Sequence, residues 1–391
     1  MKKRLPLQVF AFAATRIVFN TMFRMVYPLL PAFRDGLGVS LAHLSQALTW
    51  RSLAGMVAPF LASIADSRGR KTGMLFGTLL FSSGVAVVVF WPTFAGFTAA
   101  LILSTLGKFA FDPAMQAYIG DRVRYERRGL VLALTEVGWS GAFLIGIPLV
   151  AGLISLKGWL APFPLLAGLG FLSFLGLLWL LPGDPPPAVS RPGVFKNMRL
   201  VFTSASALAG LVVTLFVSMS NEVVNVVFGV WLEASFSMQV TALGLSATVI
   251  GAAELLGEGL VSALVDRLGK KRAVFFGLAA ISVATVLLPL IGRSQPGAML
   301  GLFLFYLAFE FTFVSSIPLM SELLPAARAT LMALNFASAS LGRAIAAYFA
   351  PALFARGFGI SASAALLINL LAVLALSGVR LPPPPPESTS Q

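Results

Sequence analysis

Apolar residues along this chain run in blocks of about 20, separated by short polar or Pro/Gly punctuation. A helix of about that length crosses ~30 Å of hydrocarbon while satisfying its own backbone hydrogen bonds. The pattern predicts twelve spans, at residues 7–32, 41–65, 73–91, 95–121, 129–154, 160–181, 204–231, 240–265, 273–292, 297–324, 328–354 and 359–379. The opening MKKRLPLQVFAFAATR has the basic start and short apolar core of a secretory signal, but the apolar pattern resumes beyond Arg16 as far as Pro31. It is therefore read as the first span.

One segment interrupts the rhythm of short loops. LPGDPPPAVSRPGVFKNMRL, residues 181–200, is too polar and too rich in Pro and Gly to be a span, and it divides the spans six and six. The expected organisation is an N-terminal six-helix bundle at 1–181, a linker at 182–203, a C-terminal six-helix bundle at 204–379 and a disordered Pro-rich tail at 380–391.

Composition narrows the class further. With 58% hydrophobic and 11% charged residues, the chain lacks the polar side chains to cover a soluble globule of its size. Cysteine is absent and His43 is the single histidine, which excludes disulfides, Cys/His metal sites and nucleophile–base pairs that need them. No P-loop is present, so no nucleotide, metal or other cofactor is expected, and energy would come from a gradient. A net charge of +13 would suggest nucleic acid in a soluble protein; here its placement matters more, and no nucleic-acid partner is expected.

Placement gives an orientation. Lys2, Lys3, Arg4, Arg68, Arg70, Lys71, Arg122, Arg124, Arg127 and Arg128 fall on one side of the predicted spans. Arg191, Lys196, Arg199, Arg267, Lys270, Lys271, Arg272, Arg328 and Arg380 fall on the same side, whereas the opposite loops hold Arg34, Lys157, Arg293 and Arg356. The excess of basic residues predicts a multi-pass protein of the cell (inner or plasma) membrane with both termini cytoplasmic, its basic loops against anionic lipid headgroups.

The two halves echo each other. SIADSRGRKTGML returns as SALVDRLGKKRAVFFG, setting Asp66, Gly69 and Lys71 opposite Asp266, Gly269 and Lys271. Asp121 and Arg127 match Glu322 and Arg328, while Asn20 and Arg24 fall on Asn221 and Asn225. Such an internal repeat predicts two related bundles.

Twelve spans in two halves, with ADSRGRK and VDRLGKK after the second span of each, resemble the major facilitator superfamily of secondary transporters. The family's loop signature G-x-L-x-D-R-x-G-R-K is met by Asp66, Gly69, Arg70 and Lys71, with Ala62 and Ser67 departing from it. In the second half Asp266, Arg267, Gly269 and Lys271 match, with Ser262 at the glycine position. The resemblance implies an all-α membrane fold of two pseudo-twofold-related bundles, working by alternating access, with these loops as a conformational latch. Gly69 would let the chain reverse tightly while Arg70 and Lys71 hold the loop at the inner surface.

Charges inside the spans indicate a polar pathway, since each costs at least ~2.5–3.5 kcal/mol at mid-membrane unless it faces a cavity or a partner. In the resembling family the first, fourth, seventh and tenth spans line the central cavity. Here they carry Arg16, Asn20 and Arg24; Lys108 and Asp112; Glu222 and Asn225; and Glu310. Lys108 and Asp112 share a helix face at i, i+4, as either a structural or a working pair. Lys108 falls where proton-coupled exporters of the family carry the arginine of R-x-x-x-G, although Asp112 replaces that glycine. In the eighth span Glu254 and Glu258 share a face. Either one of these carboxylates holds an exchangeable proton, or each has its own partner, Arg343 being a candidate. Glu222 and Glu310 are candidate proton carriers or ligands for a cationic substrate.

The fifth span contributes GWSGAFLIGIPLVAG, in which Gly138, Gly146, Pro148 and Gly152 resemble the G-x(n)-G-P-x-x-G run of antiporter members, with Ile147 inserted before the proline. Its small residues are expected to let the fifth span approach the eighth, with Pro148 permitting a bend. Glu136 one turn earlier needs only a helix N-terminus to account for it. The expectation is a non-enzymatic, monomeric, proton-gradient-driven exporter of a small amphipathic substrate. An importer, a uniporter and a transport-inactive sensor or scaffold are the alternatives. A membrane enzyme would need a catalytic constellation near an interface, which one isolated histidine does not supply.

Overall fold

The computed structural model describes residues 5–58, 60, 61, 68–183 and 194–381. Asp66 of the expected latch, residues 184–193 of the linker and residues 382–391 of the tail lie outside them. The described residues are helical throughout, joined by turns. The N-terminal half contains α1 (Leu5–Arg24), α2 (Leu30–Leu37), α3 (Leu41–Gly55), α4 (Arg70–Phe90) and α5 (Phe94–Arg122). It continues with α6 (Tyr125–Gly141), a π-helical turn (Ala142–Gly146), α7 (Ile147–Lys157) and α8 (Pro162–Leu180). The C-terminal half follows a short α9 (Val194–Thr203) with α10 (Ala205–Phe236), α11 (Val240–Leu268), α12 (Lys270–Ile291), α13 (Gln295–Leu323), α14 (Arg328–Phe354) and α15 (Phe358–Ser377).

Among the described residues ten helical stretches are long and apolar enough to cross a membrane. Two expected spans fall outside that set. The second is interrupted after α3 by a turn at Met56 and Val57; Ala58, Phe60 and Leu61 are helical again, and residues 59 and 62–67 lie outside the described residues. The eleventh, α14, has the length, but Asn335, Ser338, Ser340 and Arg343 dilute its apolar character. The first expected span, residues 7–32, is broken into α1 and α2. Pro28 and Pro31 disfavour continuous helix there, and the chain turns between them. The second half of the expected linker is also ordered: α9 buries Val201 completely and packs against α14.

In the fifth span, Pro148 has no N–H to donate to the carbonyl four residues back, and the helix widens into the π-turn Ala142–Gly146 just before it. Long helices pack through small residues, as expected where lipid tails offer no hydrophobic drive for association. A Cβ on Gly77 of α4 would lie 2.6 Å from the carbonyl of Gly107 on α5, and one on Gly107 would lie 2.6 Å from the carbonyl of Gly77. At the equivalent place in the second half, a Cβ on Gly277 of α12 would lie 2.5 Å from Thr312 Oγ1 on α13.

The repeat seen in sequence is a repeat of contacts. Gly69 and Gly269 both take positive φ, 105° and 82°, a conformation that side chains resist. Directly after them, Arg70 Nε bonds Asp121 Oδ2 at 3.1 Å, and Lys270 pairs with Glu322. Lys71 donates to the carbonyls of Leu178 and Leu181 at 2.8 and 2.7 Å, and Lys271 to Val379 at 2.6 Å. Each lysine thus closes the C-terminal end of the sixth helix of its own half, where orphan carbonyls and the helix dipole favour a cation.

The halves meet where α7 packs on α11, α3 on α14 and α2 on α10. With the end carrying Arg70, Arg267 and Lys271 called the basic end, the polar ties between halves run from the middle to the far end. Outermost, Arg34 Nη2 bonds Glu233 Oε2 at 3.1 Å. Nearby, a Cβ on Gly229 would lie 2.5 Å from the carbonyl of Tyr27, so the far ends of α10 and the α1–α2 turn are in backbone contact. Among the described residues no hydrogen bond or ion pair joins the halves at the basic end.

Candidate functional site

The buried charges gather into two clusters. The first is central and joins the halves. Arg24 of α1 forms an ion pair with Glu254 of α11, both buried. Glu254 also accepts from Trp139 Nε1 at 2.8 Å. The guanidinium lies over the rings of Trp139 and Phe143, 4.7 and 4.5 Å from their centroids, an arrangement that stabilises a desolvated cation through the ring quadrupole. Beside it runs a hydrogen-bonded chain. Arg51 of α3 donates to Tyr27 OH and, at 2.9 Å, to the carbonyl of Phe23. Tyr27 OH donates to Glu222 Oε1 at 2.8 Å, and Asn225 Nδ2 donates to Glu222 Oε2 at 3.2 Å. Tyr306 OH closes the chain on Asn225 Oδ1 at 2.7 Å. A small cavity, with about 170 Å³ of empty space when its open mouth is counted, sits among Arg24, Tyr27, Phe143, Asn225 and Phe228.

The second cluster lies within the N-terminal half, toward the basic end. Arg16 of α1 grips Glu136 of α6 through both terminal nitrogens, at 2.7 and 2.9 Å, and lies 3.5 Å from Asp112. Asp112 in turn pairs with Lys108 on its own helix. A two-pronged arginine–carboxylate contact is the strong geometry for this pair. Glu136 therefore has a partner of its own beyond a helix N-terminus. Asn20 donates to the carbonyl of Gly138 at 3.1 Å and so ties α1 to α6.

Three expected site residues stand apart. Glu310 is buried on α13, its Cβ 2.9 Å from where a Cβ on Gly257 would sit, and its carboxylate accepts no hydrogen bond among the described residues. Glu258, one turn from Glu254, is half-buried, and its carboxylate is likewise unpaired among the described residues. Arg343 of α14 lines a separate cavity with Arg51 rather than pairing with Glu254 or Glu258; Glu254 is taken by Arg24. Of the latch residues, Asp266, Arg267 and Gly269 are exposed, and among the described residues the bonds of Arg70 to Asp121, Lys71 to Leu178 and Leu181, and Lys271 to Val379 each lie within one half.

The fifth-span glycines serve a different helix from the one expected. A Cβ on Gly138 would lie 2.5 Å from Arg16 Cβ, one on Gly146 would lie 1.9 Å from Thr21 Oγ1, and Gly152 has open space around it. These glycines admit α1. Close approach to the eighth span comes from that span's own glycines: a Cβ on Gly244 would lie 2.2 Å from Ala151 Cβ, and one on Gly251 2.5 Å from Phe143 Cβ.

Sequence reasoning does not single out four residues of the site: Arg51, Tyr27, Tyr306 and Trp139. Arg51 carries a signal, being a charge inside an expected span. The aromatic residues carry none, because rings are common in spans and only the fold sets these hydroxyl and indole groups against Glu222, Asn225 and Glu254.

Two six-helix halves that close on a buried, charged centre make this a multi-pass membrane protein. The Major Facilitator Superfamily model matches residues 12–216 and again 210–391, and the chain belongs to that family. It is 23% identical to the uncharacterized MFS-type transporter YceJ of Bacillus subtilis over 87% of this chain and 88% of that one. It is 25% identical to the multi-drug resistance efflux pump PmrA homolog of Lactococcus lactis over 74% and 73%. Its fold matches the crystal structure of a D-xylose–proton symporter with a TM-score of 0.76 at 16% identity, covering 94% of this chain and 95% of that one.

Proposed function

We propose that the protein is a secondary active transporter that exports a small amphipathic solute in exchange for protons by alternating access. The observation that carries this reading is the Arg24–Glu254 ion pair, which joins the halves across the central cavity. A buried pair of this kind is stable only while both partners are charged and in contact. A proton delivered to Glu254, or a solute group competing for Arg24, releases the tie and lets the halves part. Glu310, buried nearby and unpaired among the described residues, is the second carboxylate that takes part in proton exchange. Export as the direction is supported by the fifth-span resemblance to antiporters and by the efflux-pump name of the Lactococcus relative. Both termini then lie in the cytoplasm, and the joined far end faces outward.

The test uses purified protein in liposomes with an internal pH dye, an imposed proton gradient and a panel of amphipathic cations, sugars and amino acids. Proton flux that depends on a solute is the expected result, and Glu254→Gln or Glu310→Gln is expected to uncouple it. Solute equilibration without proton movement would show a uniporter. Full pH-dependent transport in both variants would remove these two acids from the pathway.

A further inference from the structure

The cavity beside Arg343 is unlike the central one. It lies where α3 meets α14 across the halves and holds about 190 Å³ of empty space, its mouth included, among Arg51, Ser52, Thr105, Phe109, Ser340 and Arg343. Two guanidinium groups line it, and no acid does. The acid whose charge reaches Arg343, Glu222, already receives Tyr27 and Asn225. Arg343 makes no hydrogen bond or ion pair among the described residues, and the Arg51 Nε is likewise without a partner. The buried Thr105 Oγ1 has none either, and the side chains of Ser52 and Ser340, residues that are themselves mostly buried, form no hydrogen bond among the described residues. Buried donors are almost always satisfied, and an uncompensated charge in low dielectric is costly. A wall of donors facing one empty space, with a net positive charge and no protein acceptor, is matched by an acceptor that comes from outside.

We infer that this cavity is an oxyanion subsite, in which a carboxylate, sulfonate or phosphate headgroup of an amphiphile sits between Arg51 and Arg343 and accepts from the Thr105, Ser52 and Ser340 hydroxyls. Phe23 and Phe109 supply the apolar wall against which the body of such a molecule begins. The enclosed room is about that of one water, so the cavity takes the oxygens of a headgroup while the body of the amphiphile stays outside it. Because Arg51 lies on one half and Arg343 on the other, the anion bridges the halves. This inference gives the substrate of the proposed transporter an anionic group, and rests on that reading for its role in transport but not for binding itself.

The experiment measures binding of naphthalene-2-sulfonate and of the matched neutral 2-naphthylmethanol to the purified full chain in non-ionic detergent by titration calorimetry. The sulfonate is expected to bind, and the alcohol much more weakly. Arg343→Gln is expected to weaken the sulfonate by about tenfold or more, the loss of a charge-assisted contact. Thr105→Val keeps the side-chain shape and removes a hydroxyl with no protein partner, so it folds and weakens binding severalfold. Repeating the titration in phosphatidylcholine nanodiscs with and without phosphatidylglycerol identifies the source: competition by the anionic lipid assigns the oxyanion to a headgroup, and its absence assigns it to a free amphiphile. Equal affinity for sulfonate and alcohol, or unchanged sulfonate binding in Arg343→Gln, overturns the inference. Since no transport is measured, that failure leaves the transporter reading standing, and an inactive protein that still binds sulfonate through Arg343 leaves the subsite standing.

Discussion

Arg24 and Glu254 show how much of the centre depends on single side chains. Each is desolvated, each has the other as its charged partner, and Trp139 holds both by hydrogen bond and ring face. Removing one partner leaves a buried charge uncompensated, so Glu254→Gln is expected to cost on the order of 3–5 kcal/mol. The loss should appear as earlier thermal unfolding in detergent, and the double variant Arg24→Gln/Glu254→Gln should recover much of it. If the single and double variants unfold together, the two side chains do not act as a unit. Charged members of the site were legible in the sequence because a charge inside an apolar run stands out. The hydroxyls of Tyr27 and Tyr306 were not, since nothing in a helical run of rings shows which one reaches a carboxylate.

Helices carry the next level of constraint, and here small residues decide which elements touch. The reciprocal approach of Gly77 and Gly107 leaves no room for a side chain between α4 and α5. Gly107→Leu is therefore expected to abolish folded protein, by the overpacking that cores do not relieve; normal yield and a normal gel-filtration profile would contradict that. Gly269→Leu acts differently, because open space surrounds it and only its φ of 82° resists the change. Backbone strain of about 1–3 kcal/mol is expected there, with folding retained and transport slowed if the loop moves during the cycle. Normal turnover at normal expression would deny this loop a part in the motion. Span positions were legible because a twenty-residue apolar run matches the thickness of a bilayer core and little else in a protein. The break after Arg24, the turn at Met56 and the π-turn before Pro148 were harder to place, since each depends on how neighbouring helices absorb a local loss of regular backbone bonding. The fifth-span glycines were visible as a motif, but the helix they admit, α1, is set by tertiary packing.

At the scale of the whole molecule, two repeats meet around buried charge and are tied from the centre to the far end. The repeat itself was legible from the matching loops SIADSRGRKTGML and SALVDRLGKKRAVFFG, and the paired contacts of Lys71 and Lys271 give it physical form. The state of closure was not legible, because it depends on contacts between halves rather than on either half. Alternating access requires that the Arg34–Glu233, Tyr27–Glu222 and Arg24–Glu254 ties open while the basic ends come together. The absence of cysteine makes this directly measurable with introduced pairs. Spin labels at His43→Cys and Gln295→Cys report the far end, and labels at Arg124→Cys and Arg267→Cys report the basic end; all four positions are exposed. Double electron–electron resonance in lipid, at high and low pH and with a transported solute, is expected to show far-end distances lengthening as basic-end distances shorten. Distances that stay fixed at both ends, or that lengthen together, would contradict a two-half rocking motion about the Arg24–Glu254 pair.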